Sequence, residues 1–269
     1  MARPGAASVR VAWLCTATVA AGLFAAGAQA ATPVQNRTFS QIQKGATQGD
    51  AASQYRLGVI YDNGEGVPVD HARAFEWYQR AAEQGQADAQ YNLGIMYDEG
   101  QGVAQSYALA ANWYSAAANQ GVAEAQYNLA MLYAVGQGVP QDDVSTAYWM
   151  YKAASQNYVP AQYNLGLIYV SGAGVTADPL TACHWFLEGA QQGDADSQLE
   201  TAQCYETGRG GARDLVRAYA WALLAANQGE GGQGEDGAQV YLDGLGAQVS
   251  DAQKAEAVSL SEGLVTPAP

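Results

Sequence analysis

Apolar and polar residues recur with a fixed period along most of this chain. The segment 89–103 reads AQYNLGIMYDEGQGV, and close copies of it begin at residues 53, 125 and 161. Successive copies are 36 residues apart, since 89 − 53 = 36 and 125 − 89 = 36. A worn copy follows at 197–211. A repeat of this length predicts one linear array of small units rather than one or two compact domains.

Each unit has the pattern of two helices, which we call helix A and helix B. In helix A, a leucine and a tyrosine four residues later share one face. These residues are Leu57, Leu93, Leu129 and Leu165, followed by Tyr61, Tyr97, Tyr133, Tyr169 and Tyr205. A glycine then ends helix A, because glycine readily takes positive φ at a helix C-terminus. A column of Asp or Ser predicts the start of helix B, since these side chains cap free N–H groups.

Tryptophan occupies one position of helix B in all five units, with an alanine five residues later. The tryptophans are Trp77, Trp113, Trp149, Trp185 and Trp221. Large and small side chains at helical spacing are typical of packing contacts. We therefore expect these tryptophans in the core rather than stacked on a ligand.

The repeats divide the chain into an array with two ends. Five units are predicted at 49–84, 85–120, 121–156, 157–192 and 193–228. Residues 31–48 contain a polar lead and a helix that caps the array. Residues 229–265 contain a degenerate sixth repeat and a C-terminal capping helix, before a tail at 266–269. The predicted fold class is all-α, an α-solenoid of stacked antiparallel helix pairs.

The first thirty residues have the features of a signal peptide. Arg3 and Arg10 form a basic n-region before an apolar stretch over 11–28, and Ala28-Gln29-Ala30 forms an A-x-A cleavage site. A retained membrane anchor is the alternative, but the stretch is short and rich in small residues. We expect cleavage near Ala30, no stable membrane insertion afterwards, and a mature protein that is periplasmic or secreted.

The charge of the chain restricts its partners. It has 12 basic and 26 acidic residues, for a formal net charge of −14. Removal of Arg3 and Arg10 with the signal peptide leaves 10 − 26 = −16. Such a surface repels phosphate, which argues against nucleic acid and against anionic lipid.

No motif for catalysis is present in the sequence. It lacks S-x-x-K, G-x-S-x-G and H-E-x-x-H. The two histidines, His71 and His184, stand in helices B of different units. A hydrolase needs a nucleophile with a base, or a metal with its ligands. We therefore predict that the protein is not an enzyme and has no cofactor or metal site.

Two cysteines of the mature chain flank one predicted turn. Cys183 lies ten residues before Gly193, and Cys204 lies eleven residues after it. If the helices on either side run antiparallel, the two thiols stand at nearly the same height. Export makes a disulfide between them possible. The alternative is a pair of small buried thiols.

The repeated A-Q-Y-N-L-G-x-x-Y-x-x-G-x-G-V, followed by A-x-x-W and A-A, resembles the Sel1-like repeat family, which is related to tetratricopeptide repeats. The resemblance covers about 49–228. It implies a right-handed superhelix in which helix A lines the concave face and binds protein partners. It also implies a non-enzymatic scaffold or regulator in the bacterial cell envelope that binds a protein or peptide. Some cysteine-rich relatives bind or weakly hydrolyse β-lactams, so a weak hydrolase or cell-wall-fragment binder is the alternative, although their regular cysteine pairs are missing here.

The predicted binding residues form columns on helix A. An apolar column lies beside the buried stripe, at Val59, Ile95, Met131 and Leu167. A tyrosine column stands one turn earlier, at Tyr55, Tyr91, Tyr127 and Tyr163. Asp62, Asp98 and Glu99 are expected at the edge of the same surface. By the resemblance these columns face the concave groove, where aromatic and methionine side chains suit peptide anchors. Packing of the tyrosines between units is the alternative role.

Overall fold

The structure of the chain, a computed structural model, describes residues 38–228 and 235–265. Within these ranges every regular element is an α-helix, and no strand occurs. The helices are α1 Phe39–Thr47, α2 Ala51–Asn63, α3 His71–Glu83, α4 Ala87–Glu99, α5 Tyr107–Asn119, α6 Ala123–Val135, α7 Asp143–Ala154, α8 Val159–Ser171, α9 Pro179–Gln191, α10 Ala195–Thr207, α11 Leu215–Asn227, α12 Glu235–Gly246 and α13 Asp251–Ser261. The even-numbered helices from α2 to α10 are helices A, and the odd-numbered ones from α3 to α11 are helices B.

Each helix from α1 to α11 packs against its neighbours in the chain, and α12 and α13 both pack on α11. After each helix A the chain folds back on itself. The backbone N–H of Asp70 donates to the carbonyl of Tyr61 at 2.8 Å, and that of Asp142 donates to the carbonyl of Tyr133 at 3.1 Å. Short connections of this kind make paired helices antiparallel. The predicted all-α solenoid of stacked helix pairs is confirmed.

Helix boundaries follow the glycine and cap columns. Helices A end at glycines in the left-handed conformation, with φ between 72° and 75°. These are Gly64, Gly100, Gly136, Gly172 and Gly208. Helices B begin after side chains that accept a hydrogen bond from a first-turn N–H, at Asp70, Ser106, Asp142, Asp178 and Asp214. The predicted starts of helix B and ends of helix A are confirmed.

The second glycine of the G-x-G pair brings neighbouring units together. Gly138 has φ of 71°, and a Cβ added to it would stand 2.5 Å from the backbone nitrogen of Ala108, in the preceding unit. Gly102 and Gly174 lie in the same way against the unit before them. Gly66, in the first unit, has φ of 75° but no such neighbour within 4 Å. In the inner units this position therefore requires glycine for two reasons: its left-handed backbone conformation and its close contact with the preceding unit.

The core between helix A and helix B pairs a small residue with a large one. A Cβ on Gly58 would stand 2.6 Å from the ring of Tyr78. Glycine also faces an aromatic ring at Gly94 with Tyr114 and at Gly166 with Phe186. In the third unit the corresponding residues are Ala130 and Met150, which belong to one buried cluster. Side-chain volume is thus matched across the helix pair, as close packing requires.

This pairing corrects the predicted role of the tryptophans. Trp221 is buried, with 1% of its surface exposed. The other four are partly exposed and pack against the core from its edge. The buried large residue is the next one along helix B, at Tyr78, Tyr114, Met150 and Phe186. Adjacent helical residues point only about 100° apart, so the spacing alone did not separate these two positions.

A buried glutamine in each helix A joins three helices. The Gln126 side-chain amide donates to the Ala118 carbonyl of the preceding helix B at 3.0 Å. Its oxygen accepts from the amide of Gln156, just after its own helix B, at 2.8 Å. The same two bonds occur at Gln54, Gln90, Gln162 and Gln198. This ladder satisfies polar groups that the stacking of units would otherwise bury without partners.

Several sequence predictions lie outside the described residues. They are the signal peptide at 1–30, the polar lead before residue 38 and the tail at 266–269. The described ends carry capped helices: α13 begins with a capping box formed by Ser250 and Gln253. The boundaries of the predicted domains stay predictions.

Candidate binding surface

The predicted binding residues lie on α2, α4, α6 and α8, at the same positions in successive units. We call eight of them the helix A row. Its members are Tyr55, Val59, Tyr91, Ile95, Tyr127, Met131, Tyr163 and Leu167. All eight are partly exposed. Each one packs with one side against a buried cluster, which fixes its orientation.

The tyrosines of the row rest on the aromatic core of their own units. The Tyr55 ring centroid lies 5.9 Å from that of Tyr78, and the Tyr163 centroid lies 5.9 Å from that of Phe186. Tyr127 differs, since its ring contacts Tyr158 at the start of the next unit, at 5.4 Å. The tyrosines thus have a packing role, and each still keeps part of its surface exposed.

An acidic side chain of the next unit stands near three of these tyrosines. Burial, followed by the charge of Asp88, raises the pKa of Tyr55 to about 12. Burial, followed by the charges of Asp196 and Glu200, raises the pKa of Tyr163 to about 12. The pKa of Tyr91 is raised by burial and then by nearby groups that include Glu124. These acids were not among the residues predicted from the sequence, although Asp88, Glu124 and Asp196 occupy one column, in the first turn of helix A.

Asp62, Asp98 and Glu99 lie at the other end of helix A. Tyr78 donates its hydroxyl proton to Asp62 at 3.2 Å, and Tyr114 donates to Asp98 at 3.1 Å. These two carboxylates therefore also join helix A to helix B.

The charges of Asp98 and Asp62 act on Glu99. Burial raises the pKa of Asp98. Burial, then the charge of Asp98, then that of Asp62, raises the pKa of Glu99. Three carboxylates thus create a negative field at this end of the first two units.

The fifth unit also carries two partly buried carboxylates with raised pKa values, Asp196 and Glu200. Burial raises the pKa of Asp196, and the charge of Asp194 adds to the shift. Burial also raises the pKa of Glu200, which the charge of Asp196 raises further and that of Arg209 opposes. Glu200 stands in the column that holds Asn92, Asn128 and Asn164 in earlier units. The acidic character of the surface therefore continues beyond the four units of the row.

A disulfide and a cavity distinguish the last two units. Cys183 and Cys204 are bonded, with their Cα atoms 5.9 Å apart, and join α9 to α10. A cavity of about 350 Å³ lies beside the bridge, and its lining includes Leu187 and Tyr205. Thr201 also lines it, in the column that holds leucine in the first four units. The Thr201 hydroxyl is buried and has no hydrogen-bond partner among the described residues.

The histidines do not form a catalytic pair in this structure. His71 Nδ1 lies 2.8 Å from a carboxylate oxygen of Asp62, and the His184 ring packs on Trp185 with centroids 5.4 Å apart. Thr181, beside His184 in the cavity lining, donates its hydroxyl to Asp178 at 2.6 Å.

In the part of the chain that the structure describes, no group of three or more His, Cys, Asp or Glu is arranged to hold a metal. No helix there has the length and apolar character needed to cross a membrane.

A scan against known protein families matches the chain to the model described as Sel1 repeat. The match occurs five times, at 51–86, 87–122, 123–158, 159–194 and 195–230. Each matched range starts two residues after a predicted repeat boundary and keeps the same period. No curated protein matches the chain.

Two solved structures extend this comparison. A protective antigen with an SLR fold, present in uropathogenic Escherichia coli strains, is 32% identical with a TM-score of 0.74, and the match covers 82% of this chain and 48% of that chain. A Sel1 repeat protein from Oxalobacter formigenes is 31% identical with a TM-score of 0.70, and the match covers 83% of this chain and 91% of that chain. The chain thus spans about half the length of the E. coli antigen.

Proposed function

Because the chain belongs to the Sel1 repeat family, we propose that it is a non-enzymatic scaffold or regulator that binds a protein or an extended peptide along the helix A row. Repeat proteins of stacked helix pairs use extended surfaces of this kind for binding. The observation that carries the proposal is the row itself. Its side chains are fixed against the core on one side and remain partly exposed on the other, across four consecutive units.

The composition of the row suits protein recognition. Aromatic residues and methionine are enriched in protein–protein interfaces, because they bury a large area for each side chain that is ordered. Tyrosine contributes four positions of the row and methionine one. Their orientation is set before a partner arrives, so little further entropy is lost on binding.

We further propose that the protein acts in the bacterial cell envelope. The A-x-A site at 28–30 supports export. The Cys183–Cys204 disulfide agrees with it, since such bonds persist in oxidising compartments. N-terminal sequencing of the protein from a periplasmic fraction is expected to begin at Ala31. A protein that keeps Met1 in the cytoplasmic fraction would contradict export.

Crosslinking in living cells tests the binding surface. A photo-reactive amino acid is placed at Met131, in the row, or at Tyr148, which is 52% exposed on helix B of the same unit. We expect the first variant to capture one protein species and the second to capture none. Capture from Tyr148 alone would reject the helix A row as the binding surface.

A second candidate function is the binding or weak hydrolysis of a small cell-wall fragment. The cavity beside the disulfide favours it, because Thr201 presents an unpartnered hydroxyl there and His184 lines the same cavity. Turnover of a chromogenic β-lactam, lost on His184→Ala, would support this candidate. No turnover, together with no binding of muramyl peptides, would reject it.

A further inference from the structure

We propose that the helix A row binds a positively charged, extended peptide segment that carries bulky apolar side chains. The inference rests on the proposed function and adds the chemistry of the partner. It follows from an apolar centre, from carboxylates on both edges and from the near absence of basic residues in the middle of the array.

The apolar centre sets the shape of the partner. Val59, Ile95, Met131 and Leu167 form a line across α2, α4, α6 and α8. Packed helices are separated by roughly 10 Å, so four helices A extend over roughly 30 Å. An extended chain advances about 3.3 Å per residue and would cover this line with about nine residues. A single bulky side chain or a small metabolite would use only part of it.

The edge formed by the N-terminal ends of helices A is acidic. Asp88 and Glu124 each act on a tyrosine of the preceding unit, and Asp196 acts on Tyr163. Asp88 and Glu124 also stand three residues before Tyr91 and Tyr127 on α4 and α6, so they share the helix face of these tyrosines and lie next to the row. A lysine or arginine of a bound segment can reach them while its apolar neighbours contact the centre.

The opposite edge is acidic in the first two units. Asp98 and Glu99 are adjacent in the sequence, and the charges of Asp98 and Asp62 both raise the pKa of Glu99, which places the three carboxylates near one another. Across residues 38–228 and 235–265, no lysine or arginine lies within ion-pair distance of Asp98, Glu99 or Asp196. Asp62 is contacted by His71 at 2.8 Å, so the charges that remain for a partner to neutralise are mainly those of Asp98, Glu99 and Asp196.

The middle of the row lacks positive charge, although Arg56, paired with Glu65, stands beside Tyr55 at its first unit. Residues 81–151 contain no lysine or arginine and seven acidic residues. These are Glu83, Asp88, Asp98, Glu99, Glu124, Asp142 and Asp143. Among these acids, Asp88, Asp98, Glu99 and Glu124 lie on helices A, beside the row. A cationic segment would be attracted to these four carboxylates, and an acidic one would be repelled, so charge sets the choice of partner while the apolar centre supplies affinity.

A structural role for some of these acids is separable from binding. Asp88, Glu124 and Asp196 stand in first turns, where a negative charge stabilises the helix dipole. Neutralising Asp88 and Glu124 will therefore lower stability slightly whether or not they bind a partner, whereas burial raises the pKa of Asp196, so its neutralisation offsets part of that loss at neutral pH. A matched variant on helices B with the same loss of charge, Glu76→Gln with Asp143→Asn and Glu188→Gln, separates the two effects.

The test is a selection of random twelve-residue peptides displayed on phage, carried out on the purified full chain. The parent protein is compared with the row-edge variant, Asp88→Asn with Glu124→Gln and Asp196→Asn, and with the helix B variant. Fluorescence anisotropy then gives the Kd of the selected peptides at two salt concentrations. Circular dichroism confirms that all three proteins are folded at the assay temperature.

We expect the parent and the helix B variant to enrich peptides with a net positive charge and bulky apolar residues. The row-edge variant should bind the same peptides at least tenfold more weakly. High salt should also raise the Kd of these peptides for the parent protein. Enrichment of neutral or acidic peptides, absence of any enrichment, or equal weakening in both variants would overturn the charge assignment. The variant Met131→Lys separates the two proposals. If neutral or acidic peptides are selected and their binding is lost in Met131→Lys, the helix A row is still the binding surface, but the charge assignment is wrong. If the binding of all selected peptides is unaffected by Met131→Lys, both proposals are wrong.

Discussion

Replacement of Gly138 by alanine tests how neighbouring units are joined. The residue has φ of 71°, and its Cα faces the backbone of the preceding helix B. Gly66 provides the control, because its φ of 75° is nearly the same and no such neighbour lies within 4 Å. Alanine at either position therefore carries the cost of the left-handed conformation, and only alanine at Gly138 also overlaps the backbone of the preceding unit.

The magnitudes follow from these two environments. An L-residue in the left-handed conformation costs roughly 1–2 kcal/mol, and both variants carry this cost. The alanine of Gly138→Ala would also stand 2.5 Å from the Ala108 nitrogen. Relief of such an overlap moves backbone and costs roughly a further 1–3 kcal/mol. We expect a loss of about 1–2 kcal/mol for Gly66→Ala and about 2–5 kcal/mol for Gly138→Ala.

Urea unfolding followed by circular dichroism and by tryptophan fluorescence measures both losses. Stability in a repeat array is the sum of unit and interface contributions, so a weakened central interface should also broaden or split the transition. Gly66→Ala should shift the midpoint without this change in shape. Equal losses in the two variants, within about 0.5 kcal/mol, would refute the contact between units as a source of stability.

Three further predictions concern the ladder, the disulfide and the buried acids. Gln126→Ala leaves the Ala118 carbonyl and the Gln156 amide without their buried partner, so the free energy of unfolding in urea should fall by about 2–3 kcal/mol. The exposed Gln156→Ala should lower it by about 1 kcal/mol, and equal losses in the two variants would contradict the ladder. Cys183→Ser, or reduction of the parent protein, should lower the free energy of unfolding by about 3 kcal/mol. Detection of two free thiols in the native protein by mass spectrometry would show that the disulfide does not form. Because burial raises the pKa of Glu200 above its ordinary 4.5, its contribution to stability is present below pH 4.5 and is lost as pH rises through the raised pKa. Glu200→Gln should therefore be more stable than the parent at pH 7 and lose that advantage below pH 4.5; an unchanged advantage at both pH values would contradict this.

Local chemistry explains why so much of the fold was predictable. Gly136 ends a helix and Asp142 begins the next because their own backbone and side-chain preferences decide the outcome within a few residues. Repetition of these signals at a constant spacing then determined the stacking. The cysteines were also informative, since Cys183 and Cys204 flank a single turn.

Side-chain burial was harder to predict, because it depends on contacts between helices. Trp149 and Met150 are neighbours on one helix, and only the glycine or alanine of the facing helix decides which one is enclosed. Gln126 was visible as a column, but its two bonds involve helices from different positions in the array. Nothing in its local sequence indicates either partner.

The candidate surface was predictable in part. The column of Met131 follows from helical spacing, and the use of that column for binding stays a prediction. The acids at Asp88 and Glu124 were missed, because their proximity to tyrosines arises only when one unit stacks on the next. The neighbours of Asp62 could not be foreseen either, since Tyr78 reaches it from the facing helix.

Hydroxyl-radical footprinting of the protein with its captured partner shows whether that partner covers the helix A row. Mass spectrometry would compare the oxidation rates of Met131 and Tyr163, in the row, with that of Tyr148, which is exposed on helix B. We expect slower oxidation of Met131 and Tyr163 in the complex and an unchanged rate at Tyr148. Protection of Tyr148, with Met131 and Tyr163 oxidised as fast as in the free protein, would contradict this expectation.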